Sequence, residues 1–170
     1  IAFAKPVMRI LTTKEFYSAW EFIPVLAVAM VFTALTTFMG TVYIVEKKSI
    51  ISFITALIGA LTNIVLNVIL IPSSLGVQGA AIATVLSYMI VFVVRAVDAR
   101  KYIGFKLYSL HIIANSIILL IQAAILIFEL PYWYLFEAVC IALLLLINYK
   151  FLFGFIEKIY LSVLRGRKND

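Results

Sequence analysis

Five long apolar segments, almost free of charged residues, restrict how this chain can fold more than any other feature. They cover residues 22–45, 50–71, 77–97, 112–128 and 133–152. A helix needs roughly 17 to 25 residues to cross a hydrocarbon core about 30 Å thick, and these segments have lengths near that range. Because lipid offers the backbone no hydrogen-bond partner, helices are the spanning structures that fit. The sequence therefore predicts an all-α membrane protein with about five transmembrane helices.

The composition excludes an ordinary water-soluble domain. Hydrophobic residues make up 65% of the chain and charged residues 13%, whereas soluble domains contain about 45 to 50% apolar residues. The net charge of +6 does not indicate nucleic-acid binding, because the basic residues lie between the apolar segments instead of along one face. We expect no nucleic-acid partner, and we interpret the basic residues as topology signals.

Those basic residues predict the orientation of the chain. Most fall in the first connection, around the third connection and at the carboxyl end, on one side of an alternating path: Lys47, Lys48, Arg95, Arg100, Lys101, Lys106, Lys150, Lys158, Arg165, Arg167 and Lys168. The positive-inside rule places that side in the cytoplasm. Lys5, Arg9 and Lys14 are exceptions on the outer side. We thus predict a multi-pass protein of the inner (cytoplasmic) membrane with a cytoplasmic carboxyl terminus.

The ends of the chain have separate predicted roles. We expect the chain to be a fragment of a longer protein. Residues 1–21 are then expected to form an outer-side connection and the end of a preceding helix. Residues 153–170 interleave apolar and basic side chains, which predicts a basic amphipathic tail on the anionic inner leaflet.

Polar and small residues mark the protein-facing sides of the second and third segments. Asn63 and Asn67 lie one helical turn apart, on the same stripe as Gly59. Two interpretations are equally consistent with this pattern: the asparagines form hydrogen bonds to a neighbouring helix, or they line a polar transport cavity. In the third segment, Gly79, Ala83 and Ser87 follow the small-xxx-small pattern of close helix packing, and Gly59 in the second segment is also expected to pack against a neighbouring helix.

The fourth segment and the residues that flank it carry a line of polar side chains, His111, Asn115, Gln122 and Glu129, within about 40° on a helix. A polar line facing lipid is costly, so Asn115 and Gln122 are expected in the interior. His111 and Glu129, at opposite ends, are expected at the interfaces. Glu137 in the fifth segment is close enough to the outer boundary to reach the headgroups.

The sequence contains no arrangement typical of an enzyme. Cys140 and His111 are the single cysteine and single histidine, so neither a disulfide framework nor a Cys/His metal site is predicted. No nucleophile motif or phosphate-binding glycine loop is present. We predict a protein that is not an enzyme and has no cofactor or metal.

A resemblance to a known family rests on the stretch GALTNIVLNVILIPSSLGVQGAAIATVLSY, preceded by YIVEKKS. The pattern is a Lys-Lys connection, a helix with N-xxx-N ending in L-I-P, a short turn with glycine, and G-A-A-x-A-T-xx-S opening the next helix. Across residues 15–106 it resembles the Wzx-like polysaccharide exporters and lipid-linked oligosaccharide flippases of the multidrug/oligosaccharidyl-lipid/polysaccharide superfamily.

The resemblance implies a MATE-like transporter of two six-helix lobes, of which this carboxyl-terminal fragment supplies most of one. Such a protein moves undecaprenyl-linked sugar units to the outer leaflet by alternating access. Its partners would be membrane lipid, that substrate and the missing amino-terminal lobe. An anionic pyrophosphate-linked sugar would need a cation within the membrane. No basic residue lies deep within these segments, and Arg95, close to the inner boundary, is the nearest candidate. The candidate cavity residues are Asn63, Asn67, Asn115, Gln122 and Arg95.

Three alternatives remain open from the sequence. A cation-coupled exporter of small molecules would need an intramembrane acid, for which Glu137 is the candidate. A polytopic membrane transferase would be built around His111. A purely structural membrane protein would use the polar residues only for helix packing.

Overall fold

The computed structural model describes residues 1–104 and 109–166, and within these ranges the chain contains helices and no strand. Lys106, Arg167 and Lys168, which contribute to the predicted topology and tail, lie outside the described residues. The helical elements are α1 (Ala4–Leu11), a 3-10 helix (Lys14–Phe22), α2 (Ile23–Val45), α3 (Ser49–Leu70), α4 (Gly76–Asp98), a short 3-10 helix (Ala99–Lys101), α5 (Ser109–Ile127) and α6 (Trp133–Gly166).

Helices α2 to α6 are each long and apolar enough to cross a membrane, which confirms the predicted fold class. The structure differs from the predicted segments mainly at the last two helices. Helix α5 begins at Ser109 and ends at Ile127, and α6 continues to Gly166. The last span and residues 153–166 thus form one continuous helix. Gly154 alone is not enough to end it.

The spanning helices pack side by side in the order α3, α4, α2, α5, α6, and α3 also contacts α2. The largest buried apolar cluster joins α2 and α4 to α5, with Phe32, Phe92 and Ala123 among its members. Apolar side chains on the far side of α3, such as Phe53, Ile64 and Val68, are 59 to 69% exposed. An exposed apolar helix face of this kind suits contact with lipid.

Small residues bring α3 and α4 close together. A Cβ atom on Gly79 would lie 2.6 Å from the carbonyl oxygen of Leu70, and one on Gly59 would collide with a methyl group of Val91. Ala83 is fully buried and Ser87 is buried. This close approach leaves the adjoining space between α2, α3 and α4 lined by backbone and short polar side chains.

The two ends of the helix bundle have different character. One end, here called the aromatic end, contains Trp20, Trp133 and an ion pair between Lys5 and Glu129. The other, the basic end, contains the connection with Lys47 and Lys48 and the last turn of α4. The five antiparallel spans place each connection at one of these ends.

Candidate functional site

The guanidinium group of Arg95 is buried among α2, α3 and α4, although α4 ends three residues later. Its exposure is only 8%. Nε donates to the hydroxyl oxygen of Thr55 at 2.9 Å, Nη1 to the carbonyl of Thr36 at 3.0 Å, and Nη2 to the carbonyl of Ser52 at 3.2 Å. Arg95 is therefore held by both neighbouring helices through three of its five N–H groups.

Neighbouring residues make room for this group. A Cβ atom at Gly40 would lie 2.6 Å from Nη1 of Arg95, so the absence of a side chain there admits the guanidinium. The ring of Tyr43 lies beside it, with 6.0 Å between the ring centroid and Cζ. Together, Gly40 and Tyr43 form the α2 wall of the arginine site.

Arg95 has no acidic partner in the described part of the chain. The nearest acid along α4, Asp98, accepts hydrogen bonds from Nζ of Lys101 at 2.9 Å and from the hydroxyl of Tyr43 at 3.1 Å. Within residues 1–104 and 109–166, no carboxylate oxygen lies within 4.0 Å of the guanidinium. The site thus contains one positive charge that the described residues leave uncompensated.

A polar cleft of about 490 Å³ opens beside the guanidinium, between α2, α3 and α4. Most of its lining side chains are polar, which is unusual between helices of this apolar character. The lining residues are Thr33, Thr36, Thr37, Ala56, Gly59, Ala60, Asn63, Thr84, Ser87, Tyr88, Val91 and Arg95. The cleft extends from Arg95 near the basic end towards Asn63 in the second half of α3.

The hydrogen bonds already made within the cleft decide what it can offer to a ligand. Each of its four threonine hydroxyls donates to a backbone carbonyl, so these oxygens remain only as acceptors. The groups left to donate are two N–H groups of Arg95, one amide N–H of Asn63 and the hydroxyl of Tyr88. This set suits an anionic group near Arg95 and hydroxyl-bearing groups further along.

Asn63 and Asn67 form a chain of hydrogen bonds, and only the first of them lines the cleft. Asn67 donates to Oδ1 of Asn63 at 2.8 Å, and Asn63 donates to the hydroxyl of Ser87 at 3.2 Å. Ser87 in turn donates to the carbonyl of Thr84 at 3.0 Å. The asparagines therefore connect α3 to α4, and Asn63 also presents its amide to the cleft.

The other two candidate cavity residues lie away from this cleft, between α5 and α6. Asn115 and Asn148 exchange two amide hydrogen bonds, at 3.1 and 2.9 Å. Gln122 donates to Glu137 Oε2 at 2.9 Å. Glu137 is 2% exposed, so the expectation that it reaches the headgroups is wrong, because its side chain turns towards α5.

Asn115 also lines a second cavity, of about 580 Å³, between α2, α5 and α6. This cavity includes His111 and Asn148 but is otherwise mainly apolar. The structure thus divides the five candidate cavity residues among separate places. It brings Arg95 and Asn63 into one cleft and leaves Asn115 and Gln122 in the contact between α5 and α6.

Several residues of the site were not singled out from the sequence, and Thr55 and Tyr43 are the clearest cases. Thr55 lies four residues before Gly59 and eight before Asn63, so the small and polar stripe of α3 contains a signal for it. Tyr43 gives no comparable signal, because its role depends on how α2 lies against α4.

No protein-family model, curated protein or solved structure matches this chain. Across the part of the chain that the structure describes, no three His, Cys, Asp or Glu side chains lie close enough to hold a metal ion. The cleft beside Arg95 is therefore the feature of the described residues whose chemistry indicates a function.

Proposed function

We propose that this chain is part of a membrane transporter that flips lipid-linked oligosaccharide or polysaccharide repeat units across the cytoplasmic membrane by alternating access. The observation that carries the proposal is the buried Arg95 guanidinium, which faces a polar cleft without an acidic partner in the described residues. A charged side chain within a membrane helix is costly, and an arginine near a helix end usually extends to the interface, whereas Arg95 stays buried three residues before the end of α4. Such residues typically face an interior path and interact with what passes along it.

The chemistry of the cleft fits a phosphate-linked sugar. A phosphate or pyrophosphate group would compensate the charge of Arg95 through its two remaining N–H groups. Sugar hydroxyls, which donate and accept, would suit the threonine oxygens, the Asn63 amide and the Tyr88 hydroxyl. The lipid portion would remain against the apolar helix surfaces. In this proposal the basic end faces the cytoplasm, where the phosphate first meets Arg95.

The proposal is tested in cells that depend on the full-length protein. Outward delivery is measured as the fraction of the lipid-linked sugar that a glycosidase on the outer side of the cytoplasmic membrane can cleave. Arg95→Gln is expected to reduce delivery by about tenfold or more, which corresponds to the loss of one hydrogen bond from a charged group, and Arg95→Lys is expected to reduce it less. Arg100→Gln is the matched control, since it removes one exposed positive charge from the same end. Normal delivery by Arg95→Gln, at equal protein level in the membrane, would contradict the proposal.

A second candidate, a cation-coupled exporter of small molecules, is favoured by one observation. Glu137 is buried, and its Oε1 atom has no hydrogen-bond partner among the described residues. An intramembrane acid of this kind could carry a proton or bind a cation. Loss of drug export by Glu137→Gln, with unchanged sugar delivery, would favour this candidate over the flippase.

A further inference from the structure

A small basic cleft lies at the aromatic end, where α1 turns into the following 3-10 helix. It has a volume of about 280 Å³ and is lined by Arg9, Thr12, Thr13, Lys14 and Tyr17. These residues lie around one turn of the chain. Two of them, Arg9 and Lys14, are among the three basic residues that depart from the positive-inside pattern. The cleft is separate from the Arg95 site, at the other end of the bundle.

The third exceptional residue, Lys5, is already compensated. It pairs with Glu129, and its Nζ atom lies 4.1 Å from the centroid of the Trp20 ring. Arg9 and Lys14, in contrast, have no carboxylate within 4.0 Å in the described ranges, even though Glu15 follows Lys14 directly. Two positive charges therefore converge on the cleft and are left for an external anion.

The hydroxyl groups of the cleft complete a phosphate-binding chemistry. Thr12 donates its hydroxyl to the carbonyl of Met8 at 2.7 Å, which fixes the turn and leaves that oxygen as an acceptor only. The hydroxyls of Thr13 and Tyr17 remain to donate. A phosphate oxygen accepts strongly from guanidinium, ammonium and hydroxyl donors.

The same segment exposes apolar side chains next to the cleft. Phe3, Ile10, Leu11 and Phe16 are 66 to 83% exposed. On α1, Leu11 lies roughly opposite Arg9 and Ile10 about 100° away from it, and Phe3 directly precedes the helix. Trp20 and Trp133 mark this level as a membrane interface. An interfacial segment with cations on one side and apolar side chains on the other is suited to headgroup and acyl-chain contact together.

We propose that Arg9, Lys14, Thr13 and Tyr17 bind the phosphate headgroup of an anionic phospholipid in the leaflet at the aromatic end. The exposed apolar side chains of the same segment contact its acyl chains. The lipid holds α1 and the 3-10 helix against the membrane and offsets the two charges. This inference does not depend on the transport proposal, because it uses no residue of the Arg95 cleft.

The test is native mass spectrometry of the purified full-length protein released from nanodiscs that contain phosphatidylglycerol and phosphatidylcholine. A basic residue near a membrane surface contributes about 1 kcal/mol. The Arg9→Gln, Lys14→Gln double variant is therefore expected to bind phosphatidylglycerol about 30-fold more weakly at its tightest site. The Lys47→Gln, Lys48→Gln double variant removes the same charge at the basic end and should retain that site.

Three results would overturn the proposal. The first is equal retention of phosphatidylglycerol by both double variants. The second is equal retention of phosphatidylcholine and phosphatidylglycerol at the tightest site of the unaltered protein. The third is complete displacement of the lipid by millimolar inorganic phosphate, which would indicate a site for free phosphate. All four substituted residues are exposed, and an unchanged melting temperature would verify that both variants fold.

Discussion

Gly40→Ala isolates the arginine site, because it adds one methyl group directly against the guanidinium. The new Cβ atom would lie 2.6 Å from Nη1 and 3.5 Å from Cζ of Arg95, so the guanidinium must move. The arginine side chain is flexible, but its Nη1 atom donates a hydrogen bond to the carbonyl of Thr36 at 3.0 Å. The displacement therefore removes or lengthens a hydrogen bond from a charged group in a buried place.

The magnitude follows from two opposing terms. Loss of a hydrogen bond to a charged group costs about 1.5 to 3 kcal/mol, while replacing glycine by alanine within a helix contributes up to about 1 kcal/mol of stability. We expect the free energy of unfolding to fall by about 0.5 to 2 kcal/mol. Gly154→Ala in α6 is the matched control, since nothing lies within 4 Å of a Cβ atom there, and it should be neutral or stabilising.

The assay is thermal unfolding of the purified full-length protein, and a double-mutant cycle with Arg95→Met identifies the cause. In the Arg95→Met background the flexible, uncharged side chain has no hydrogen bond to lose, so Gly40→Ala should no longer destabilise. The reasoning is refuted if Gly40→Ala lowers the melting temperature equally in both backgrounds. It is also refuted if Gly40→Ala raises the melting temperature of the otherwise unaltered protein as Gly154→Ala does.

Two further predictions concern helix contacts. Gly79→Ala should lower the free energy of unfolding by about 1 to 3 kcal/mol, because the backbone oxygen of Leu70 cannot move aside as a side chain does; a melting temperature at or above that of the unaltered protein would contradict it. Asn115→Leu should destabilise by about 0.6 to 1 kcal/mol by breaking its reciprocal amide bonds. Adding Asn148→Leu should cost less than the sum of the two single changes in the same unfolding measurement, and strict additivity would argue against the pair.

The fold class could be predicted from the sequence because segment length and hydrophobicity alone specify spanning helices in lipid. The end of α6 was less predictable. Residues after 152 contain charges typical of a tail, yet no proline ends the helix, so it continues to Gly166.

The site was only partly predictable, because helical spacing tells which residues share a face and not which helix that face meets. Asn63 and Arg95 are on different helices, and their common cleft depends on the close approach of α3 to α4. Asn115 and Gln122 share a face as expected, but their partners, Asn148 and Glu137, come from α6. Spacing on one helix contains no information about those partners.

Water access to the polar cleft tests the central proposal most directly. The measurement is labelling of Asn63→Cys by a membrane-impermeant thiol reagent in the full-length protein that also carries Cys140→Ser, with Gln122→Cys as the buried control. If the cleft is part of the translocation path, position 63 is labelled, added lipid-linked oligosaccharide blocks the labelling, and position 122 stays unlabelled. If position 63 is labelled from neither side of the membrane, or if added lipid-linked oligosaccharide does not change the extent of its labelling, the cleft is only a contact between helices.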